Sequence, residues 1–240
     1  MPTTQLATWN TYTHPQAYGR SGFVTPSDLA IDGMHTRFRT WRTMQQVFNH
    51  LWCITDQYIR IGGEYNLVPW CGNEVSLCGL LTAAAFRAGF ISLDEFSKEK
   101  KAEESAGHMG RVDWWVSDDK YEILAEAKAL WLGPGASWKT VSEKMDAARD
   151  QLNLFPREDK ESGGRLQIVF VRLYYGPRND AGRAWDDWLG DDAEPADPKG
   201  ISYMSYYLLH QQSEIFGDQG FPSDCSGHVY PGLIVCCREV

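Results

Sequence analysis

The run LQIVFVRLYY at residues 166–175 constrains the fold most. Branched and aromatic residues dominate it, so it reads as a β-strand. Nearly every position is apolar, so both of its faces must be covered. A strand shielded on both sides belongs to a layered α/β protein, with helices packed over a sheet. Candidate helices lie upstream. Residues 40–61 place Trp41, Met44, Val47, Phe48, Leu51, Trp52 and Tyr58 at helical spacing, and Gly62-Gly63 ends the pattern. Residues 73–88 predict a second helix, capped by Asn73, striped by Leu77, Cys78, Leu81, Ala84, Ala85 and Ala88, and closed by Gly89. A third runs over 137–155 on Trp138, Val141, Met145, Ala148, Leu152 and Phe155, with Thr140 and Glu143 spaced as a capping box.

Elsewhere the pattern is weaker. Residues 1–35 read as an irregular arm with a short helix near Pro26, Ser27 and Asp28. The charged stretch 93–106 reads as a surface helix or loop. Residues 232–237 form a last strand candidate, and the aromatic segment ISYMSYYLLHQQ before it has no defined type. The expected organisation is a single domain over 1–240, with a core at about 73–175, an N-terminal arm and helix over 1–72, and a C-terminal extension over 176–240.

Composition narrows the class. An apolar content of 43% and a charged content of 23% are those of a globular chain that buries a core, not of a disordered one. No run reaches the ~20 apolar residues that span a bilayer. The first residues, MPTTQLATWNTY, lack a basic start and an apolar centre, so a cytoplasmic protein with no membrane partner is expected. Cys53, Cys71, Cys78, Cys225, Cys236 and Cys237 form no CxxC pair and have no histidines at zinc spacing, which favours free thiols. A net charge of -9 argues against a protein that coats nucleic acid non-specifically, but not against an enzyme with a local basic groove. Residues 181–200 carry six acids against two bases, whereas Arg37, Arg39 and Arg42 cluster; a polyanion would meet the arginines, unless they only solvate a helix face.

The chemistry concentrates in RVDWWVSDDKYEILAEAK, residues 111–128. Local propensity over 121–133 favours a helix, with Ile123, Leu124, Ala127, Leu130 and Trp131 as its stripe and Gly133-Pro134 as its stop. Glu122, Glu126 and Lys128 would then be solvated charges. As a strand, Glu122, Leu124, Glu126 and Lys128 point one way, and Ile123, Ala125, Ala127 and Ala129 the other. SDDK suits a hairpin turn, which would bring Asp113 opposite Glu126. Two carboxylates and an amine gathered so can hold a hard divalent cation beside a water. Glu74 lies on the stripe of the second helix, either as a first-turn acid favoured by the helix dipole or as an inward ligand.

The order of elements decides between the readings: a helix with Glu74, a strand with Asp113, a strand with Glu126 and Lys128, a long helix, then an apolar strand. This order, with Arg111-Val112-Asp113 and Glu126-Ala127-Lys128, resembles the core of the PD-(D/E)XK nuclease superfamily over about residues 73–175. Gln151 and Phe155 are similar to the Gln-x-x-x-Tyr motif of its RecB-like branch, with Phe in place of Tyr. Val112 stands where the eponymous proline would be, and no first strand is evident between the Glu74 helix and Arg111.

The resemblance implies an α/β, restriction-endonuclease-like core, a mixed central sheet flanked by helices. It implies Mg²⁺ or Mn²⁺ held by Asp113, Glu126, the Ala127 carbonyl and Glu74. Lys128 would assist the attacking water, and Gln151, Ser137 and Arg111 would meet the substrate. His108 is the histidine nearest the motif. The implied activity is that of a metal-dependent endonuclease of restriction or phage defence acting on DNA, with a homodimer possible. An alternative is a catalytically inactive nuclease-fold protein that binds nucleic acid or a protein. A third reading, sugar hydrolysis by the acids and aromatics of Trp185, Asp186, Asp187 and Trp188, rests on a looser pattern.

Overall fold

A computed structural model describes residues 9–12, 19–24, 36–62, 68–99, 109–133, 138–156, 163–175, 201–209 and 228–240. It is an α/β protein built on one mixed sheet. The strands are β1 (Trp9–Tyr12), β2 (Gly19–Val24), β3 (Ile91–Glu99), β4 (Met109–Ser117), β5 (Glu122–Leu132), β6 (Gly163–Tyr175), β7 (Tyr203–Leu209) and β8 (Val229–Glu239). They lie in the order β1-β2-β7-β8-β6-β5-β4-β3. The helices are α1 (Thr36–Gly62), α2 (Glu74–Arg87) and α3 (Trp138–Leu152), with a 3-10 turn at Pro69–Cys71 before α2.

β5 and β6 run parallel, and the described pairings elsewhere in the sheet are antiparallel. A parallel pair needs a crossover, and α3 supplies it. One face of the sheet packs under α1 and α2, where Met44, Val47, Leu51, Leu77 and Leu81 meet Ile123, Ala125, Ile168, Phe170 and Val235. On the opposite face, Val141 and Met145 of α3 meet Leu130, Leu132, Val169, Val171 and Ile234. β6 is therefore covered on both sides, as its apolar run requires. Asn73 caps α2 by accepting from the Ser76 backbone N–H at 2.9 Å, and Gly89 follows the helix with φ of 89°.

Several local expectations are corrected. The charged stretch read as a surface helix or loop begins inside β3, which pairs along β4 from Ile91↔Ser117 to Glu99↔Met109. Its charges are tolerated because β3 is the last strand on its side of the described sheet and stays solvated. The arm over 1–35 contributes β1 and β2, which join the sheet against β7, so it is not irregular throughout; Pro26, Ser27 and Asp28 lie outside the described residues. The aromatic segment of undefined type contains β7, and β8 extends beyond 232–237 at both ends. α3 begins at Trp138, so Thr140 sits inside its first turn rather than at a cap, and Glu143 pairs with Lys139 at 3.8 Å. Among the described residues no helix is long and apolar enough to cross a membrane. Cys53, Cys78, Cys236 and Cys237 are free thiols; Cys225 is not among the described residues.

A buried polar knot fastens α1 to the sheet near the start of β5. The Thr40 and Tyr121 hydroxyls lie 2.6 Å apart, and Thr40 donates to Glu239 Oε1 at 2.7 Å. Gly164 permits this: a Cβ there would stand 2.6 Å from the Tyr121 hydroxyl and 2.7 Å from Thr40 Oγ1. Gly164→Ala is expected to cost about 1–3 kcal/mol through this overpacking. Urea unfolding measures it, and an unchanged midpoint would refute the account.

Candidate active site

The segment 111–128 is a hairpin. Asp118 makes its turn: the Oδ1 atom accepts from the Lys120 and Tyr121 backbone N–H groups, each at 2.7 Å, and its own N–H donates to the Tyr121 carbonyl at 3.0 Å. An aspartate that folds back on the following amides favours a turn over a helix. From there β4 and β5 pair through four registered positions, Ser117↔Glu122 to Trp114↔Ala125. Asp113 and Glu126 are the next step of that register, but the ladder stops before them. β4 continues against β3 while β5 continues against β6.

The fork leaves β5 with backbone donors that have lost their neighbouring strand, and buried donors need partners. Two carboxylates fill the role. Asp113 Oδ2 accepts from the Ala127 N–H at 2.9 Å, and Glu74 Oε2, from the first turn of α2, accepts from the Ala129 N–H at 2.9 Å. Glu74 is thus turned toward the sheet from the first turn of α2. Its helix is itself tied to β6, since Arg172 Nη1 donates to the Gly72 carbonyl at 2.7 Å. The Arg172 guanidinium lies 4.3 Å over the Trp131 ring.

Lys128 gathers these acids. Its Nζ lies 3.4 Å from Asp113 Oδ2, 3.5 Å from Glu74 Oε1 and 3.9 Å from Glu126 Oε2, and it donates to the Ala127 carbonyl at 2.6 Å. Glu126 is the most enclosed of the four, with 2% of its surface exposed, and its Oε1 is buried with no hydrogen-bond partner. Burial pushes the Glu126 carboxyl up to about 9, the adjoining Asp113 carboxyl adds to the shift, and Lys128 opposes it. The negative surroundings also reach Cys78, one turn beyond Glu74. Burial first, then Asp113, Glu74 and Asp94, hold its thiol far above the ordinary range, so it is an inert packing group.

Asp113, Glu126, Lys128 and Glu74 therefore converge. The Ala127 carbonyl adjoins them but is taken by Lys128. Arg111 points elsewhere, 59% exposed and paired with Glu95 at 2.9 Å. Gln151 is exposed on the last turn of α3, with no hydrogen bond or ion pair to the four charged residues. Ser137, His108 and the 181–200 acids lie outside the described residues, and so does the side chain of Arg37. Arg39 stacks on Tyr121 at 5.5 Å, at the far end of the hairpin from the fork.

Oxygen donors with one buried, unpartnered carboxyl oxygen suit a hard divalent cation. Asp113 and Glu126 are the pair that fits; among the described residues no three His, Cys, Asp or Glu form a group able to hold a metal, and Lys128 intervenes before Glu74. Sequence reasoning missed Arg172 and Gln167. Both were detectable as the two polar residues within an apolar strand run, where a polar side chain needs a reason. The chain matches no protein-family model, no curated protein and no solved structure.

The raised Glu126 carboxyl carries a pH signature. The folded protein keeps a proton that the unfolded chain releases near 4.5, so stability is full below that value and declines as pH climbs through about 9. Glu126→Gln should flatten this decline in metal-free protein, read as thermal midpoint against pH. Parallel profiles for the two proteins would contradict the assignment.

Proposed function

We propose that this chain is a metal-dependent nuclease that hydrolyses phosphodiester bonds in DNA. The observation that carries the reading is the fork itself, where Asp113 and the buried, unpartnered Glu126 carboxyl adjoin Lys128, whose Nζ is 3.4 Å from Asp113. The order of α2, β4, β5, α3 and β6 around it is similar to the PD-(D/E)XK core, which supports the same reading.

Asp113 and Glu126 would hold Mg²⁺ or Mn²⁺, with Glu74 close enough to share the charge through Lys128. The bound cation supplies Lewis acidity toward a phosphate oxygen and the attacking water. Asp113 keeps its carboxylate aimed by accepting from the Ala127 N–H, so its position costs no reordering when substrate arrives. Lys128 is held by the Ala127 carbonyl and three acids, which fixes an ammonium where charge develops on the phosphate. Burial of Glu126 excludes water from one side of the pair and strengthens these interactions.

One observation favours a second reading, a nuclease-fold binding protein without catalysis. Lys128 already neutralises the acids and occupies the Ala127 carbonyl, as a structural ion cluster would. Metal separates the two. A cation site should raise the thermal midpoint as Mg²⁺ is added, whereas a closed ion cluster should be indifferent.

Supercoiled plasmid incubated with Mg²⁺ or Mn²⁺ should be cut. Asp113→Asn, which retains an acceptor for the Ala127 N–H, and Lys128→Ala should each lower the rate by at least about 10²-fold, with circular dichroism unchanged. Wild-type rates in both variants would overturn the nuclease reading.

A further inference from the structure

Glu126 lies beside a second buried group that nothing in the proposed chemistry uses. In the parallel β5–β6 ladder its register partner is Gln167. Partners in register present their side chains on the same face. That face is the one under α3: Leu130 and Leu132 share the parity of Glu126, Val169 and Val171 share that of Gln167, and all four pack against Val141 and Met145.

Gln167 is 1% exposed, and its Oε1 is buried with no hydrogen-bond partner, as is Oε1 of Glu126. Two unpartnered oxygens on adjacent strands are an unfavourable arrangement, and a leucine or valine would relieve it on the Gln167 side. Its neighbours Leu166, Ile168, Val169 and Phe170 are all apolar, so the amide is the exception in its stretch of strand. The next residue across the sheet is Arg238, which pairs in register with Gln167 on β8. Arg238 is engaged by Asp146 of α3 at 2.9 Å. A polar file therefore crosses the sheet under α3, from Asp113 through Glu126 and Gln167 to the Arg238–Asp146 pair.

We propose that Gln167 is a positioning residue for the cation pair, placed by the register so that its carboxamide takes the inner oxygen of Glu126 when a cation draws the outer oxygen toward Asp113. A carboxamide suits the task because it both donates and accepts. Its Nε2–H can donate to the inner oxygen of a Glu126 carboxylate whose outer oxygen a cation holds. Glu126 has several rotatable bonds, and a ligand left free to rotate binds metal more weakly than one braced from behind. The inference rests on the reading of Asp113 and Glu126 as the cation-holding pair, and it adds to that reading the residue that aims Glu126.

The test is Mn²⁺ binding, followed by the loss of the free-ion electron paramagnetic resonance signal, beside the thermal midpoint of metal-free protein. Gln167→Met, close in shape and apolar, and Gln167→Leu, different in shape, are compared with wild type. The expected result is a dissociation constant raised about tenfold or more in both variants, with the metal-free midpoint unchanged or raised. Wild-type Mn²⁺ affinity in either folded variant overturns the role of Gln167 alone. Weaker binding accompanied by a lowered metal-free midpoint in both variants makes Gln167 a packing residue and overturns it too. Absence of saturable Mn²⁺ binding in the wild-type protein overturns this inference together with the reading it rests on.

Discussion

The parting of β4 from β5 after Trp114↔Ala125 is the constraint around which the site is arranged. A strand that loses its neighbour must find other acceptors for its buried amides. Here the acceptors are carboxylates, Asp113 for Ala127 and Glu74 for Ala129. Backbone satisfaction and charge placement become one requirement. The acids stand where the fork needs acceptors, and Lys128, on β5 between Ala127 and Ala129, is the counter-charge that lets them gather.

Glu126 differs from its neighbours because the register carries it under α3, where it has neither solvent nor a hydrogen bond for Oε1. An enclosed carboxyl next to another carboxyl holds its proton to high pH.

The three helices were legible because each has an apolar stripe at the helical period and a cap or stop: Asn73 and Gly89 bound α2 where the spacing predicts it. β6 was legible because an unbroken apolar run has few other uses. β3 was not. As the outermost described strand on its side it buries little, so Asp94, Glu95, Lys98 and Glu99 read as a solvated surface. β1 and β2 were missed for a related reason, since their Gly, Ser and Thr content carries no strand period. The hairpin at 111–128 was legible only in part. Its residues from Tyr121 to Leu132 suit a helix, and the sheet prevailed because β5 is buried between β4 and β6 and under helices on both faces.

By itself the sequence determined the layered α/β class, the helices, the apolar strand and the residue types that could meet at a cation site. Those properties are local, set by period, capping and chemistry. The tertiary structure alone decided that Glu74 turns inward, that Lys128 stands among three acids, and that Gln167 lies beside Glu126. Each of these depends on strand order and on the point where one ladder ends. They are facts about segments far apart in the chain, and no local pattern encodes them.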